Sequence, residues 1–261
     1  MDDARDILPV VEPDRDLDDW GRSARLSDAL DRTLWEAAHK LWFRVELQQA
    51  ERIPSTGGAL LVVNGGGVLS PIGPLVAKAV REDHPRRRDP RLCVDRGVLD
   101  QPGLSVVLTR AGAVGAQVDD LVRLLGDEGS LLVLSTRTDR LHDEGATATL
   151  ADHPALVAAV RAGVPIIPIA AVGADDAQPV LGRLPLPGGR RLPVTLGFPF
   201  LGPLALLAYL PAKIRLRALS PLVPDPDDDV AAEAGRLALS TARRLRHEHA
   251  DMRRTRGSRW V

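Results

Sequence analysis

Cysteine is almost missing from this chain. Cys93 stands alone among 261 residues, which excludes an intrachain disulfide and a cysteine-based zinc site and fits a reducing compartment. A basic excess is missing too. The formal net charge of -1 and a pI near 6.6 argue against a nucleic-acid-binding protein, whose phosphate contacts call for a clear positive surplus. Lysine is scarce: Lys40, Lys78 and Lys213 leave thirty-one arginines among the 34 basic residues, read as a bias of base composition rather than as function. The opening MDDARDILPVVEPDRDLDD holds no apolar run of signal-peptide length, so no export signal is expected and the cytoplasm is the expected location. The longest uncharged stretch, Leu192 to Ala212, has bilayer length but carries Pro193, Pro199, Pro203 and Pro211 with Gly197 and Gly202. A helix interrupted so often leaves backbone groups that lipid cannot satisfy, so a buried or interfacial segment is expected there.

What is present is an ordinary globular composition, 44% hydrophobic, enough for one large α/β domain or two small ones. Charge is unevenly spread. Residues 1–19 hold eight acids against Arg5 and Arg15, whereas arginines at 243, 244, 246, 253, 254, 256 and 259 face only Glu248 and Asp251. With no internal repeat and no clear linker, the organisation expected is a disordered acidic N-terminus over 1–22, one domain over 23–250 and a basic tail over 251–261.

Leu26, Leu30, Leu34, Ala38 and Leu41 recur at helical spacing and predict one amphipathic helix from Ser23 to Trp42. Alternation at Phe43, Val45 and Leu47 predicts a strand, and Pro54-Ser55-Thr56-Gly57-Gly58 turns the chain into a buried strand, Ala59–Val63, ending in Asn64-Gly65-Gly66-Gly67. Further strands are expected at Leu92–Val94, Ala113–Val114, Ser130–Leu134 and Val164–Val172. Helices are expected at Pro74–Glu82, Val118–Leu125, Ala155–Ala162 and Asp228–His249. Strands alternating with helices imply an α/β fold, a single largely parallel sheet covered on both faces.

Four segments between Trp42 and Pro224, in order and suitably separated, resemble the glycerolipid acyltransferase family, whose members acylate lysophosphatidic acid and related acceptors. Trp42–Leu47 through Ile53–Asn64 is similar to that family's lead-in strands and first motif, and Gly112-Ala113-Val114 with Leu121–Leu125 to its second block. Val164-Pro165-Ile166-Ile167-Pro168 is similar to its fourth, and Phe198–Leu204 followed by Leu210–Arg215 to the ending of a bacterial subfamily. The resemblance implies a histidine, oriented by an aspartate, that removes the acceptor hydroxyl's proton as that oxygen attacks an acyl thioester. Here the chain departs from the family. Asn64 matches, but the histidine position is Gly65 and the aspartate position is Gly73, or Ser70 with shorter spacing. The third motif, normally Phe-Pro-Glu-Gly and thought to hold the acceptor head group, is Leu134-Ser135-Thr136-Arg137. A lost general base costs roughly 10² to 10⁴ in rate, so no catalytic residue is assigned.

Other chemistry-bearing patterns compete with this reading. His84 and Asp89 reproduce the dyad's spacing, but no apolar strand precedes them and prolines and arginines surround them. Asn64-Gly65-Gly66-Gly67 fits neither common phosphate-loop pattern and no lysine follows; its glycines would leave either a widened pocket or a tight turn. Cys93 reads as a partly buried thiol, and His247 with Asp251 as a solvent-exposed pair four apart on a helix. The C-terminal arginines fit either a solvated helix end or contact with an anionic membrane.

The function expected is that of a catalytically impaired acyltransferase homologue that binds a lipid or acyl chain, or regulates a partner. The substrate-binding candidates are Asn64, Gly67, Ser135, Thr136, Arg137 and Pro165. Two alternatives stand beside it: an active acyltransferase using another base, His142 or His153, and a structural partner protein without a ligand site. No metal or cofactor is expected. A lipid or acyl thioester and the inner face of an anionic membrane are the expected partners.

Overall fold

The computed structural model describes residues 17–66, 70–100, 103–137, 144–177, 182–185, 191–194 and 209–255. Within these, 66, 104, 137, 144–146, 175, 182–185 and 191–194 are described by backbone alone. Ser23 caps the first helix, α1 (Ala24–Leu30), its hydroxyl accepting from Leu26 N, and two π-helical turns, Asp31–Trp35 and Ala38–Trp42, continue it. Then follow β1 (Glu46–Gln48), β2 (Ala59–Gly66), α2 (Ile72–Asp83), β3 (Arg91–Val94), α3 (Arg96–Leu99), α4 (Leu104–Arg110) and β4 (Ala113–Gly115). The chain continues through α5 (Val118–Val122), which runs into a π turn, and then β5 (Leu131–Arg137), α6 (Glu144–Ala151), α7 (Pro154–Arg161), β6 (Ile166–Val172) and α8 (Ala174–Ala177). The hairpin strands β7 (Gly182–Pro185) and β8 (Arg191–Val194), then β9 (Arg215–Ala218) and α9 (Val230–Thr255), complete the order.

Seven strands form the main sheet in the order β1-β9-β6-β2-β5-β3-β4, parallel at every pairing except β6 with β9. β2 lies at its centre, which is why Ala59–Val63 reads as an uninterrupted apolar run: both faces are covered. Leu60 and Val62 face a core beneath α5, α7 and α9, while Ala59, Leu61 and Val63 face another beneath α2 and the N-terminal helix. β1 is shorter than its alternation predicts. Arg44 and Gln49 hold left-handed backbone, φ 43° and 60°, and end the strand at both sides.

The N-terminal helix departs from its predicted orientation. Each π turn adds a residue to the helical repeat, so a stripe written at a period of 3.6 loses phase beyond the first of them. Leu26 and Leu30 remain half-buried, but Leu34 is 49% and Leu41 77% exposed, and the inward positions belong to Ser27 and His39. The polar face turns inward because α2 needs it there. Buried Lys78 is met by Asp31 and Glu36 of that helix, both at 2.8 Å, and by Glu82 of its own helix at 3.0 Å. Burial alone would lower the Lys78 pKa, but the three carboxylates outweigh it and hold the ammonium above its ordinary range.

The ends of the domain differ from the expected boundaries. Leu17–Arg22 are docked on the protein, Trp20 donating its indole N–H to Glu128 and Asp18 pairing with Arg91. α9 runs past residue 250 to Thr255. The expected disorder over 1–16, and the bulk of the Leu192–Ala212 segment (195–208), lie outside the described residues.

Candidate site at the carboxyl ends of the strands

In an open α/β sheet, ligand-binding crevices form outside the carboxyl ends of the parallel strands. Here that edge is built from the ends of β2, β5 and β3, the first turn of α2, and the last turns of α9. Register places Asn64 opposite Thr136, Val63 opposite Ser135 and Gly66 opposite Arg137. Four of the six sequence candidates, Asn64, Ser135, Thr136 and Arg137, therefore share one edge. Pro165 does not join them. Its carbonyl accepts from Leu60 N at the opposite, amino end of β2. Gly67 and the alternative base His142 lie outside the described residues.

Asn64 is fully buried, and its amide is spent on the protein itself. Its Oδ1 accepts from Ala171 N at 2.7 Å and its Nδ2 donates to Ala171 O at 2.9 Å, extending the β2–β6 ladder by one side chain. His249 of α9, also buried, brings its Nδ1 to 2.9 Å from the same carbonyl and 3.1 Å from Asn64 Nδ2. This histidine was not singled out by sequence. The available signal was its place on the buried stripe Leu237, Thr241, Leu245, His249 and Met252 of α9, whereas the neighbouring His247 and Asp251 are exposed. Replacing Asn64→Ala leaves a buried N–H without its partner and should cost about 2 kcal/mol. Urea unfolding monitored by circular dichroism would measure it.

Of the two alternatives read from the glycines, a widened pocket or a tight turn, the fold builds the turn at Gly65. That residue is buried at φ +91°, and a Cβ there would stand 3.1 Å from Ala174 Cβ, with Ile72 and Ala171 just beyond. A Cβ on Gly73 would stand 2.9 Å from Ser135 Oγ. Ser70, the alternative aspartate position, donates to Gly65 O at 2.9 Å and so staples the turn. Ser135 is exposed and Thr136 half-buried. These two hydroxyls present hydrogen-bonding groups at the edge, and neither is hydrogen-bonded to a histidine among the described residues, although Thr136 lies opposite Asn64, which His249 touches.

Two further histidines are committed elsewhere, whereas His39, buried on the inner side of the N-terminal helix, has neither ring nitrogen hydrogen-bonded among the described residues. His153 caps α7, its Nδ1 accepting from Ala155 N at 3.1 Å, while Nε2 lies 3.3 Å from Asp95. Burial lowers its pKa against the opposing pull of Asp95. α7 packs on the sheet face opposite Ile72 and Ala171, so His153 stands across the sheet from the Gly65 turn. His84 accepts from Arg86 N through Nδ1, and its Nε2 is 3.0 Å from Ile53 O. Asp89 turns instead to Arg22 and Arg81; burial would raise its pKa, and the two guanidinium groups hold it below the usual range. Burial, helped by Asp95, pushes the Cys93 thiol up to about 12, leaving an inert core residue. No group of metal-ligating side chains occurs among the described residues.

No family model matches the chain. An uncharacterized protein of Mycobacterium leprae is 33% identical over 218 residues, covering 80% of this chain and 59% of the relative. Uncharacterized proteins of Mycobacterium tuberculosis and Mycobacterium bovis are 32% identical over the same length. The chain thus spans about three-fifths of the length of the curated relatives it matches. Among solved structures, the 1-acyl-sn-glycerophosphate (LPA) acyltransferase PlsC from Thermotoga maritima superposes with a TM-score of 0.54 over 89% of this chain and 81% of the enzyme, at 14% identity. At that identity the likeness speaks for architecture and not for chemistry. In its single, mostly parallel seven-stranded sheet and its covering helices, this chain has the acyltransferase-like α/β fold of PlsC.

Proposed function

We propose that this protein is a catalytically impaired acyltransferase homologue that holds a lipid or acyl chain at the carboxyl edge of its sheet while resting on a membrane surface. One observation carries the reading. Where the resemblance calls for a histidine and an aspartate, the chain has glycines, and at Gly65, held at φ +91°, a Cβ would stand 3.1 Å from Ala174, while at Gly73 it would press only on the rotatable tip of Ser135. Without a base at that position, deprotonation of an acceptor hydroxyl as it attacks a thioester is slowed by roughly 10² to 10⁴. Ser135 and Thr136 remain able to hydrogen-bond a polar head group.

The membrane part of the reading rests on the rotated N-terminal helix. Leu34, Leu41 and the 46% exposed Trp42 leave three large apolar side chains in the open. Trp42 stands at the carboxyl edge, donating its indole N–H to Tyr209 O at 3.1 Å. The exposed Arg253 and Arg254 end α9 at the same edge, where anionic lipid would meet them. No helix of the described residues is long and apolar enough to cross a bilayer, so the attachment proposed is interfacial.

Native mass spectrometry and lipid extraction of the purified protein, with turnover of an acyl thioester and lysophosphatidic acid on the same sample, test the reading together. Bound lipid without turnover is expected. Turnover abolished by Ser135→Ala would overturn the catalytic part. For the membrane part, Leu34→Glu with Leu41→Glu should weaken sedimentation with phosphatidylserine vesicles by at least about tenfold, since each leucine buried in lipid contributes about 1.5–3 kcal/mol. Thermal stability should stay unchanged because both side chains already face solvent. Equal sedimentation of the two proteins would remove this helix from the proposal.

A further inference from the structure

A second concave feature lies on the face of the sheet opposite the Gly65 and Gly73 wall, and it does not depend on that site. α6 and α9 pack side by side there and leave between them an open groove of about 470 Å³. Its floor is apolar and small, Ala148 and Ala151 from α6 with Gly235 and Leu239 from α9, and Thr147 adds one hydroxyl. Leu239 is left 39% exposed to it. Two guanidinium groups, Arg243 and Arg246, line the groove further along α9. From Gly235 to Arg246 the helix advances about 16 Å, so an apolar half is followed by a cationic half.

The arginines distinguish this groove from a mere packing gap. Arg217 is paired with Glu248 at 2.5 Å and Arg236 with Glu233 at 2.5 Å, and Arg244 donates to Ser220 O at 2.9 Å. Arg243 and Arg246 make no ion pair with any described carboxylate. Two unpaired cations at one end of a lipophilic trough complement a single-chain amphiphile with an anionic head. A guanidinium fork pairs with carboxylate or phosphate oxygens in the same geometry, so the head-group chemistry shared by fatty acids and alkyl phosphates is what the groove selects. We propose that the α6–α9 groove binds a single-chain anionic amphiphile, its head at Arg243 and Arg246 and its chain over Ala148, Ala151, Gly235 and Leu239.

Isothermal titration of the full chain with dodecyl phosphate and with laurate, each below its micellar concentration, tests this, with dodecanol as the uncharged control. One molecule per chain is expected for at least one anion, and dodecanol should bind at least about tenfold more weakly, given the strength of charge-assisted hydrogen bonds. Which anion binds tells a phosphate head from a carboxylate. Arg243→Glu with Arg246→Glu should weaken binding by at least about tenfold. Ala148→Trp, which fills the floor from an exposed position and keeps both charges, should weaken it comparably, with circular dichroism showing each variant folded. Binding unchanged in both variants, dodecanol bound as tightly as the anions, or no saturable binding would each overturn the proposal. Leu34→Glu with Leu41→Glu should leave this binding intact, so failure of the groove and failure of the membrane-surface reading are told apart.

Discussion

Putting the dyad back, as Gly65→His with Gly73→Asp, should destabilise the protein by about 3 kcal/mol or more and yield no turnover. At φ +91° a residue with a Cβ is strained wherever its side chain points, at a cost of about 1–3 kcal/mol. The first atom of the new side chain would already press on Ala174 at 3.1 Å, with Ile72 and Ala171 in contact beside it, so an imidazole enters an occupied site, an overpacking of about 1–3 kcal/mol. Gly73→Asp is milder. Its close neighbour is the tip of Ser135, an exposed side chain able to rotate, and a carboxylate in the first turn of α2 is favoured by the helix dipole. The double variant should therefore melt about 10 °C lower, given roughly 2–4 °C per kcal/mol for a domain of this size, and Gly73→Asp alone within a few degrees of wild type. A double variant as stable as wild type that transfers acyl groups would show an intact transferase cleft and end the reading of a remodelled one.

Replacing Lys78→Met should cost about 3 kcal/mol at neutral pH. Its ammonium is the shared partner of Asp31, Glu36 and Glu82, and breaking a buried ion pair costs about 3–5 kcal/mol. The acids are 21–38% exposed, so water recovers part of that loss, which places the figure at the low end. Methionine fills the space but leaves three carboxylates facing one another across the joint between α2 and the N-terminal helix. The pH dependence has a definite sign. Hydrogen bonds from Lys40 and Lys78 draw the Glu36 pKa from 4.5 down to about 2, so its contribution is fully present above pH 4.5 and lost as pH falls through 2. The stability gap between wild type and variant should narrow across that window. Urea midpoints at pH 7, 4 and 3 would read it, and a gap that stays constant would mean that packing, not the carboxylates, sets the cost.

Much of the architecture was legible because local pattern and tertiary environment agree. Ala59–Val63 and Ile166–Val172 are apolar throughout because both lie inside the sheet, and α7 begins at Pro154 and ends before Gly163, as its terminal residues demand. The N-terminal helix was misjudged in orientation. Leu34 and Leu41 carry a valid stripe, but two π turns and the charge of a lysine on another element decide which face is inside. α3, α4 and α6 were unforeseen, being short and without a sustained apolar period.

The candidate site divides in the same way. Sequence order could mark Asn64, Gly65, Gly73 and Ser135 because a strand end followed by a departure from a family motif is a local event. It could not show that Asn64 spends its amide on Ala171, that His249 arrives from the last helix to join them, or that Pro165 lies at the far end of the sheet.

By itself the sequence determined the α/β alternation, the central strands and the absence of an imidazole at position 65, since each depends on residue identity and short-range period. Only the tertiary structure decided which glycines are closed, which leucines stay wet and which arginines lack an ion pair among the described residues. Those properties belong to pairs of residues far apart in the chain, and their energies exist only once the sheet has brought them together.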